Sequence, residues 1–165
     1  MIQVRPASDD DFEAVWRIFH RVVSEGDTYP YSPDTNPDEA RSYWMEPPAR
    51  PYVALDGNRI SGTYILKPNQ PGLGSHVVNA GFMVDPAEQG RGIGRVMVEH
   101  ALAEARHLGY RAMQFNLVVS TNTAAVALWK KVGFEIVGTL PGAFHHPEHG
   151  YVDAYVMYKT LDDYR

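Results

Sequence analysis

V-V-N-A-G-F-M-V-D-P-A-E-Q-G-R-G-I-G-R-V-M-V-E, residues 77–99, runs from an apolar stretch through a turn into an amphipathic helix pattern. Gly90, Gly92 and Gly94 stand at alternate positions, with Arg91 between the first two and Arg95 after the last. Glycine lets the main chain come close to a ligand and turn its N–H groups toward it. A helix N-terminus adds about half a positive charge at the same spot. Gln89, Gly90, Arg91, Gly92, Ile93, Gly94 and Arg95 therefore read as a socket for a phosphate or pyrophosphate, the two arginines supplying forked donors beside it. A plain strand–turn–helix connection also uses glycines, but the flanks favour the anion. The spacing is not G-x-G-x-x-G, no acidic residue stands at the usual ribose distance, and no G-K-[ST] closes the loop, so neither a dinucleotide fingerprint nor a Walker loop is indicated.

The 165 residues are most simply one domain, 1–165, large enough to bury a core. Hydrophobic residues make up 44% and charged residues 21%, as in an ordinary soluble protein. A net charge of −5 implies no general attraction to nucleic acid or to an anionic membrane, so anion binding must be local. The absence of cysteine rules out disulfides, thiolate metal sites and a cysteine nucleophile. M-I-Q-V-R-P lacks the regions of a signal peptide, no apolar run reaches spanning length, and the default compartment is the cytoplasm.

From the N-terminus, Ile2–Arg5 reads as a strand, and Ser8 with Asp9, Asp10 and Asp11 as the capped start of a helix reaching about Glu25. Gly26 to Pro51 is irregular and proline-rich, with a short helix from Pro37 to Met45 capped by Asn36. Its aromatics, Tyr29, Tyr31, Tyr43 and Trp44, either pack on the core or form a lid over a pocket. A hairpin follows, Tyr52–Leu55 and Arg59–Leu66 around an Asp56-Gly57 turn. His76–Val84 is a strand, Ile93–Leu108 a helix, and Arg111–Val119 a strand able to pair parallel to His76–Val84. Asn122 caps a further helix, Phe134–Leu140 is a strand, Pro141–Gly150 a loop holding three histidines, and Tyr151–Lys159 the last strand. The order predicts an α/β protein with a mixed sheet and helices on both faces.

Gln89-Gly90-Arg91-Gly92-Ile93-Gly94 resembles motif A, Q-x-x-G-x-G, of the GNAT acetyltransferases. Asn122 to Phe134, N-T-A-A-V-A-L-W-K-K-V-G-F, resembles the family's N-x-x-A-x-x-L-Y-x-K-x-G-F. The resemblance implies the GNAT fold, a mostly antiparallel twisted sheet whose fourth and fifth strands, a parallel pair, splay apart. It implies acetyl-CoA as co-substrate, without a metal. It further implies that main chain around Phe82, Met83 and Val84 binds the pantetheine arm and that an N–H near Met83 stabilises the oxyanion. Asn122, Trp129 and Lys130 would then complete the cofactor site. Relatives carry a tyrosine general acid where this chain has Trp129, which has no acid role near neutral pH. Either no acid is needed, since a thiol pKa of about 8.5 makes thiolate a tolerable leaving group, or Tyr151 or a water fills in, with Trp129 as packing or a wall beside the thioester.

An attacking amine must lose a proton, and the candidate bases are His76, His145, His146, Glu148, His149 and Asp153. H-H-x-x-H on a loop is not a helix-borne zinc pattern. Asn116 sits mid-strand in F-N-L-V, where a buried carboxamide needs partners, and either bonds neighbouring main chain or faces the inter-strand gap and the substrate. Asn79 poses the same question one strand over, and Tyr31 joins the substrate contacts if the aromatic segment is a lid. Lys67–Phe82, Phe115–Val118, Thr121–Ala124 and Gly150–Ala154 together resemble the proline-analogue subgroup, whose known member acetylates azetidine-2-carboxylate. That resemblance implies a small amino or imino acid as acceptor, with Asn116 contacting it. The alternatives are a peptide or protein N-acetyltransferase and a non-catalytic acyl-CoA sensor. Homodimers are common among such folds.

Overall fold

A computed structural model describes residues 1–161. The elements, in chain order, are β1 (Ile2–Pro6), α1 (Phe12–Glu25), α2 (Pro37–Trp44), β2 (Arg50–Asp56), β3 (Arg59–Pro68), β4 (Val77–Val84), α3 (Ile93–His107), β5 (Ala112–Val119), α4 (Thr123–Lys131), β6 (Glu135–His146) and β7 (Gly150–Thr160). They form one seven-stranded sheet in the order β1-β2-β3-β4-β5-β7-β6. Every neighbouring pair is antiparallel except β4–β5, which is parallel. Among the described residues no helix is long and apolar enough to cross a membrane.

The α1 helix buries Val15, Ile18, Phe19 and Val23 at the spacing of one helical face. Its start is held by Asp11, which accepts from the Ser8 N–H at 2.8 Å and from the Arg5 fork at 2.7 and 2.9 Å. That fork holds the Asp11 carboxyl at about 2, below the usual carboxylate range, although burial opposes the shift. A carboxylate depressed on folding contributes stability above its unfolded pKa of about 3.9 and loses it as the pH falls toward the folded value. Asp11→Asn should therefore unfold at lower urea than the parent at pH 7, and the gap between the two midpoints should close between about pH 4 and pH 2. A gap independent of pH would assign the role of Asp11 to packing.

The sheet separates two cores. On one face α1 and α2 cover Val53, Ile65 and Met83, with Trp44 donating from its indole N–H to Thr63 Oγ1 at 2.9 Å. On the other, α3 lies against Ala54, Tyr64, Leu66 and Val78, and α4 adds Val126, Trp129 and Val132. Gly62 lets α3 come close: a Cβ there would stand 2.9 Å from Met97 Sδ and 3.0 Å from Ile93 Cγ2. The first turn of α3 thus rests on bare β3 backbone, which fixes where its N-terminus points.

Pro141–Gly150 is not the expected loop. Most of it belongs to β6, which pairs Phe144 with Val152, His145 with Tyr151 and His146 with Gly150, leaving only Pro147–His149 as the turn. Proline is tolerated here because β6 is the outer strand of the sheet and its register shifts between Leu140 and Phe144. The parallel pair is also shorter than the sequence suggests. β4 and β5 share three rungs, Val77–Ala112, Val78–Met113 and Asn79–Gln114, and then part.

Candidate active site

Asn79 makes the last link before the strands separate, its Nδ2 donating to the Gln114 carbonyl at 3.0 Å. Beyond it, β5 is irregular: two residues, Asn116 and Leu117, oppose one residue of β7 between the Phe115–Met157 and Val118–Tyr155 pairs. Such a bulge bends a strand and re-aims a side chain. Asn116 consequently lies exposed at the rim rather than buried, donating to Asn69 Oδ1 at 2.7 Å and accepting from Gln114 Nε2 at 2.9 Å. A mid-strand asparagine is tolerated because its carboxamide finds side-chain partners.

Strand parity decides which main-chain groups open on the gap. The Asp85 N–H bonds the Ser61 carbonyl of β3 at 2.8 Å, and the Val77 carbonyl accepts from the Asn69 N–H at 2.8 Å. The His76 carbonyl instead accepts from the Arg111 N–H at the start of β5, at 2.9 Å. Odd positions of β4 therefore face β3, and even positions face β5 and the gap. Met83 turns its main chain to β3 and buries its side chain under α1, so the N–H that opens on the gap belongs to Phe82 rather than Met83. Sequence reasoning missed this by one residue, since parity is set by the partner strand. It is Tyr29 that meets these groups: its hydroxyl accepts from the Phe82 N–H at 2.7 Å and donates to the Phe82 carbonyl at 2.5 Å.

A cavity of about 360 Å³ fills the gap. Tyr29, Tyr31 and Trp44 wall it from the α1–α2 side, and Phe82, Phe115 and Trp129 from the α3–α4 side. Tyr31 stacks between Tyr29 and Tyr43, at centroid distances of 5.9 and 4.9 Å. Asn79, Asn116 and Asn122 also reach the cavity, the last while capping α4 by accepting from the Ala125 N–H at 3.3 Å. Lys67, at the end of β3 and directly across from Asn79, is the one formally charged side chain among the described lining residues. It has no hydrogen-bond or ion-pair partner among the described residues. The sequence reading passed over it because a lone lysine before a proline carries no spacing signal.

Gly90 and Gly92 adopt φ of +80° and +77°, and a Cβ at either would meet nothing within 4 Å. Their backbone is open to a ligand in a conformation that favours glycine. Intrahelical bonding of α3 begins with the Val96 N–H on the Gly92 carbonyl at 3.1 Å. The N–H groups ahead of it, those of Ile93, Gly94 and Arg95, belong to the turn that lacks helical partners. The arginines are otherwise engaged: Arg91 pairs with Glu88 and Asp56, and Arg95 with Glu99 at 2.8 Å. Main-chain amides, more than the guanidinium groups, are thus the donors left free at this turn. Asp85 holds the turn from beneath, fully buried, accepting from Arg21 at 2.8 Å, Arg59 at 3.1 Å and the Ala87 N–H at 3.1 Å. Burial pushes its pKa up, but the Ala87 N–H, Arg59 and Arg21 outweigh it and hold the carboxyl below its ordinary value.

The even-numbered main-chain groups of β4 face the gap, and the Ile93, Gly94 and Arg95 amides lack helical partners, the kinds of group that an extended ligand and an anion respectively can use. The model of the acetyltransferase (GNAT) family matches residues 12–134. This chain belongs to the GNAT family. N-acetyltransferase aca1 of Schizosaccharomyces pombe is 40% identical over 108 residues, covering 63% of this chain and 52% of aca1, so the matched part spans about half the length of that relative. L-amino acid N-acetyltransferase AaaT of Escherichia coli is 28% identical over 163 residues, 94% of this chain and 96% of AaaT. The structure of a GCN5-related N-acetyltransferase from Kribbella flavida superposes with a TM-score of 0.92 at 46% identity, over 96% of this chain and 97% of that one. GNAT proteins use acetyl-CoA.

Of the other expected residues in this GNAT domain, Trp129 lines the cavity and the rest lie outside it. Tyr151 is 75% exposed on β7, stacked on His145 and absent from the cavity lining. Lys130 is exposed on α4. Trp129 packs its ring on Phe115 and Phe82, at 4.6 and 5.2 Å between centroids, and serves as a wall. His76 is exposed ahead of β4, and Asp153 accepts from the Gly142 N–H at 3.0 Å. His146, Glu148 and His149 line a separate depression with Glu25 and Asp27. No metal-binding group of three or more His, Cys, Asp or Glu occurs among the described residues. None of the candidate bases lines the central cavity.

Proposed function

We propose that this GNAT domain transfers acetyl from acetyl-CoA to the nitrogen of a small amino or imino acid, with azetidine-2-carboxylate and related proline analogues as leading acceptors. Direct attack occurs in a ternary complex. The observation that carries the reading is the cavity at the strand splay, small, walled by aromatic rings and, among the described residues, holding one charged side chain, Lys67, which has no partner there. A cation there suits an acceptor carboxylate and repels a lysine side chain or a polyamine. The name of AaaT, an L-amino acid N-acetyltransferase, points the same way.

Side-chain parity separates the two substrates. Lys67, Asn79 and Met83 share the α1–α2 face of the sheet, whereas Phe82 and Phe115 share the α3–α4 face. The acceptor would enter from the first face, its carboxylate on Lys67 with Asn79 and Asn116 beside it and the rings of Tyr31 and Trp44 excluding water. Acetyl-CoA supplies an acyl group activated as a thioester. Gly90–Gly94 would hold its pyrophosphate, the gap-facing groups of Ala80 and Phe82 its pantetheine, and the Phe82 N–H the reacting carbonyl oxygen. With neither carboxylate nor imidazole among the described residues of the lining, the proton on the acceptor's nitrogen passes to solvent.

Thiol release from acetyl-CoA tests this, with azetidine-2-carboxylate, proline, hydroxyproline, methionine sulfone and phosphinothricin set against azetidine and pyrrolidine. Turnover should require the carboxylate. Below the acceptor's own amine pKa, kcat/KM should rise about tenfold per pH unit, without the plateau that an enzymic histidine of pKa about 6.5 would produce. Equal turnover of the decarboxylated amines would defeat the acceptor assignment.

A further inference from the structure

The Tyr29 hydroxyl meets both main-chain groups of Phe82 that face the gap, the N–H at 2.7 Å and the carbonyl at 2.5 Å. Buried N–H and C=O groups need partners, and here one phenol serves both, since it accepts and donates at once. Trp44 and Tyr31 fix the ring, with centroids at 6.4 and 5.9 Å. Gly81 lies beneath this pair: a Cβ there would press on the Trp44 ring at 3.3 Å and meet the Tyr29 oxygen in ordinary contact at 3.6 Å. Opposite stands Trp129, which cannot act as an acid and lies 5.2 Å from the Phe82 ring.

We propose that Tyr29 is a catalytic residue, a second hydrogen-bond donor to the thioester carbonyl oxygen, held on Phe82 until acetyl-CoA arrives. This rests on the reading of Phe82 as the main-chain donor. A carbonyl oxygen only accepts, so it can take the Phe82 N–H from Tyr29 but cannot take the phenolic proton's place. The Phe82 carbonyl is freed at the same moment for an amide N–H of the pantetheine arm, and the Tyr29 O–H turns to the one acceptor left, the thioester oxygen. Every polar group keeps a partner throughout the exchange. Burial pushes the Tyr29 phenol far above its ordinary pKa, so it keeps its proton and has it to donate. When the carbonyl becomes an oxyanion, the N–H and O–H are both in place to stabilise it.

Tyr29→Phe keeps the ring and deletes the hydroxyl. In the protein without ligand, exchange of the Phe82 amide hydrogen should accelerate at least about tenfold, because its acceptor is gone. In complex with acetyl-CoA labelled at the carbonyl carbon, the carbonyl stretch should move to higher wavenumber than in the parent complex, with one donor in place of two. With an acceptor present, kcat should fall about 10²- to 10³-fold while the Kd for acetyl-CoA stays within about threefold. Tyr29→Leu, read by the same infrared shift, covers the case in which the phenylalanine variant folds poorly. An unmoved carbonyl stretch, or an unchanged kcat, would overturn the proposal. The infrared measurement needs no acceptor, so it stands even where the acceptor assignment fails; absence of acetyl-CoA binding in the parent protein would overturn both.

Discussion

Gly92→Asp leaves the protein folded and removes its binding of acetyl-CoA, by at least about 100-fold in Kd. Two properties of the site make the effects separable. A Cβ at Gly92 meets nothing within 4 Å, so the substitution causes no clash. The φ of +77° strains a non-glycine residue by about 1 kcal/mol, but aspartate is among the side chains that accept this region, and Gly92 is the N-cap of α3, where a carboxylate can bond the first-turn N–H groups. Strain and capping largely offset each other, and the thermal midpoint should move by only a few degrees. The same carboxylate, however, occupies the amides that a pyrophosphate needs and sets a like charge beside it, at a cost of about 1–4 kcal/mol for charges roughly 4 Å apart. Gly92→Ala, which adds strain without charge, should lose far less affinity. Calorimetric titration with acetyl-CoA reads both variants. If Gly92→Asp bound the cofactor as the parent does, the amides of this turn would not be its anchor.

The contrast between what the sequence disclosed and what it concealed follows the range of the interactions. The glycine turn was legible because its requirement is local: residues 90 and 92 have positive φ, and only glycine adopts it freely. The α2 start was legible for the same reason. Asn36 accepts from the Glu39 N–H, and Glu39 accepts from the Asn36 N–H, both at 2.9 Å within three residues. The second half of β6 was hidden because its prolines and glycines read as a loop, and only the ladder to β7 makes it a strand. Phe82 and Met83 could not be told apart without β3, which decides the side on which each residue spends its hydrogen bonds. Tyr29 sits 53 residues from Phe82 in the chain, so no pattern in either segment announced their contact. Asn116 was legible as an anomaly that could face the gap, and it does reach the cavity; its exposure and its partners, Asn69 and Gln114, were hidden because they depend on the bulge in β5.

Lys67→Glu raises the KM for a carboxylated acceptor about 30- to 1000-fold and leaves the Kd for acetyl-CoA unchanged. Lys67 has no partner among the described residues, so reversing its charge breaks no bond that supports the fold. Its place opposite Asn79 on the α1–α2 face keeps it apart from the α3–α4 face, the side proposed for acetyl-CoA. What changes is the acceptor: a charge-assisted hydrogen bond, about 1.5–3 kcal/mol, gives way to repulsion between two carboxylates, together about 2–4 kcal/mol. The logic extends to selectivity, because an amine lacking a carboxylate loses nothing, and a cationic amine gains, when the cavity turns negative. Lys67→Gln should fall between the parent and the glutamate variant. Asn116→Ala should act in the same direction more weakly, since that carboxamide shares its bonds with Asn69 and Gln114 before any substrate arrives. Steady-state kinetics with azetidine-2-carboxylate and with azetidine separate these outcomes. If charge reversal raised the KM for both acceptors alike, Lys67 would shape the cavity without reading the carboxylate, and the acceptor's acidic group would have to be held elsewhere.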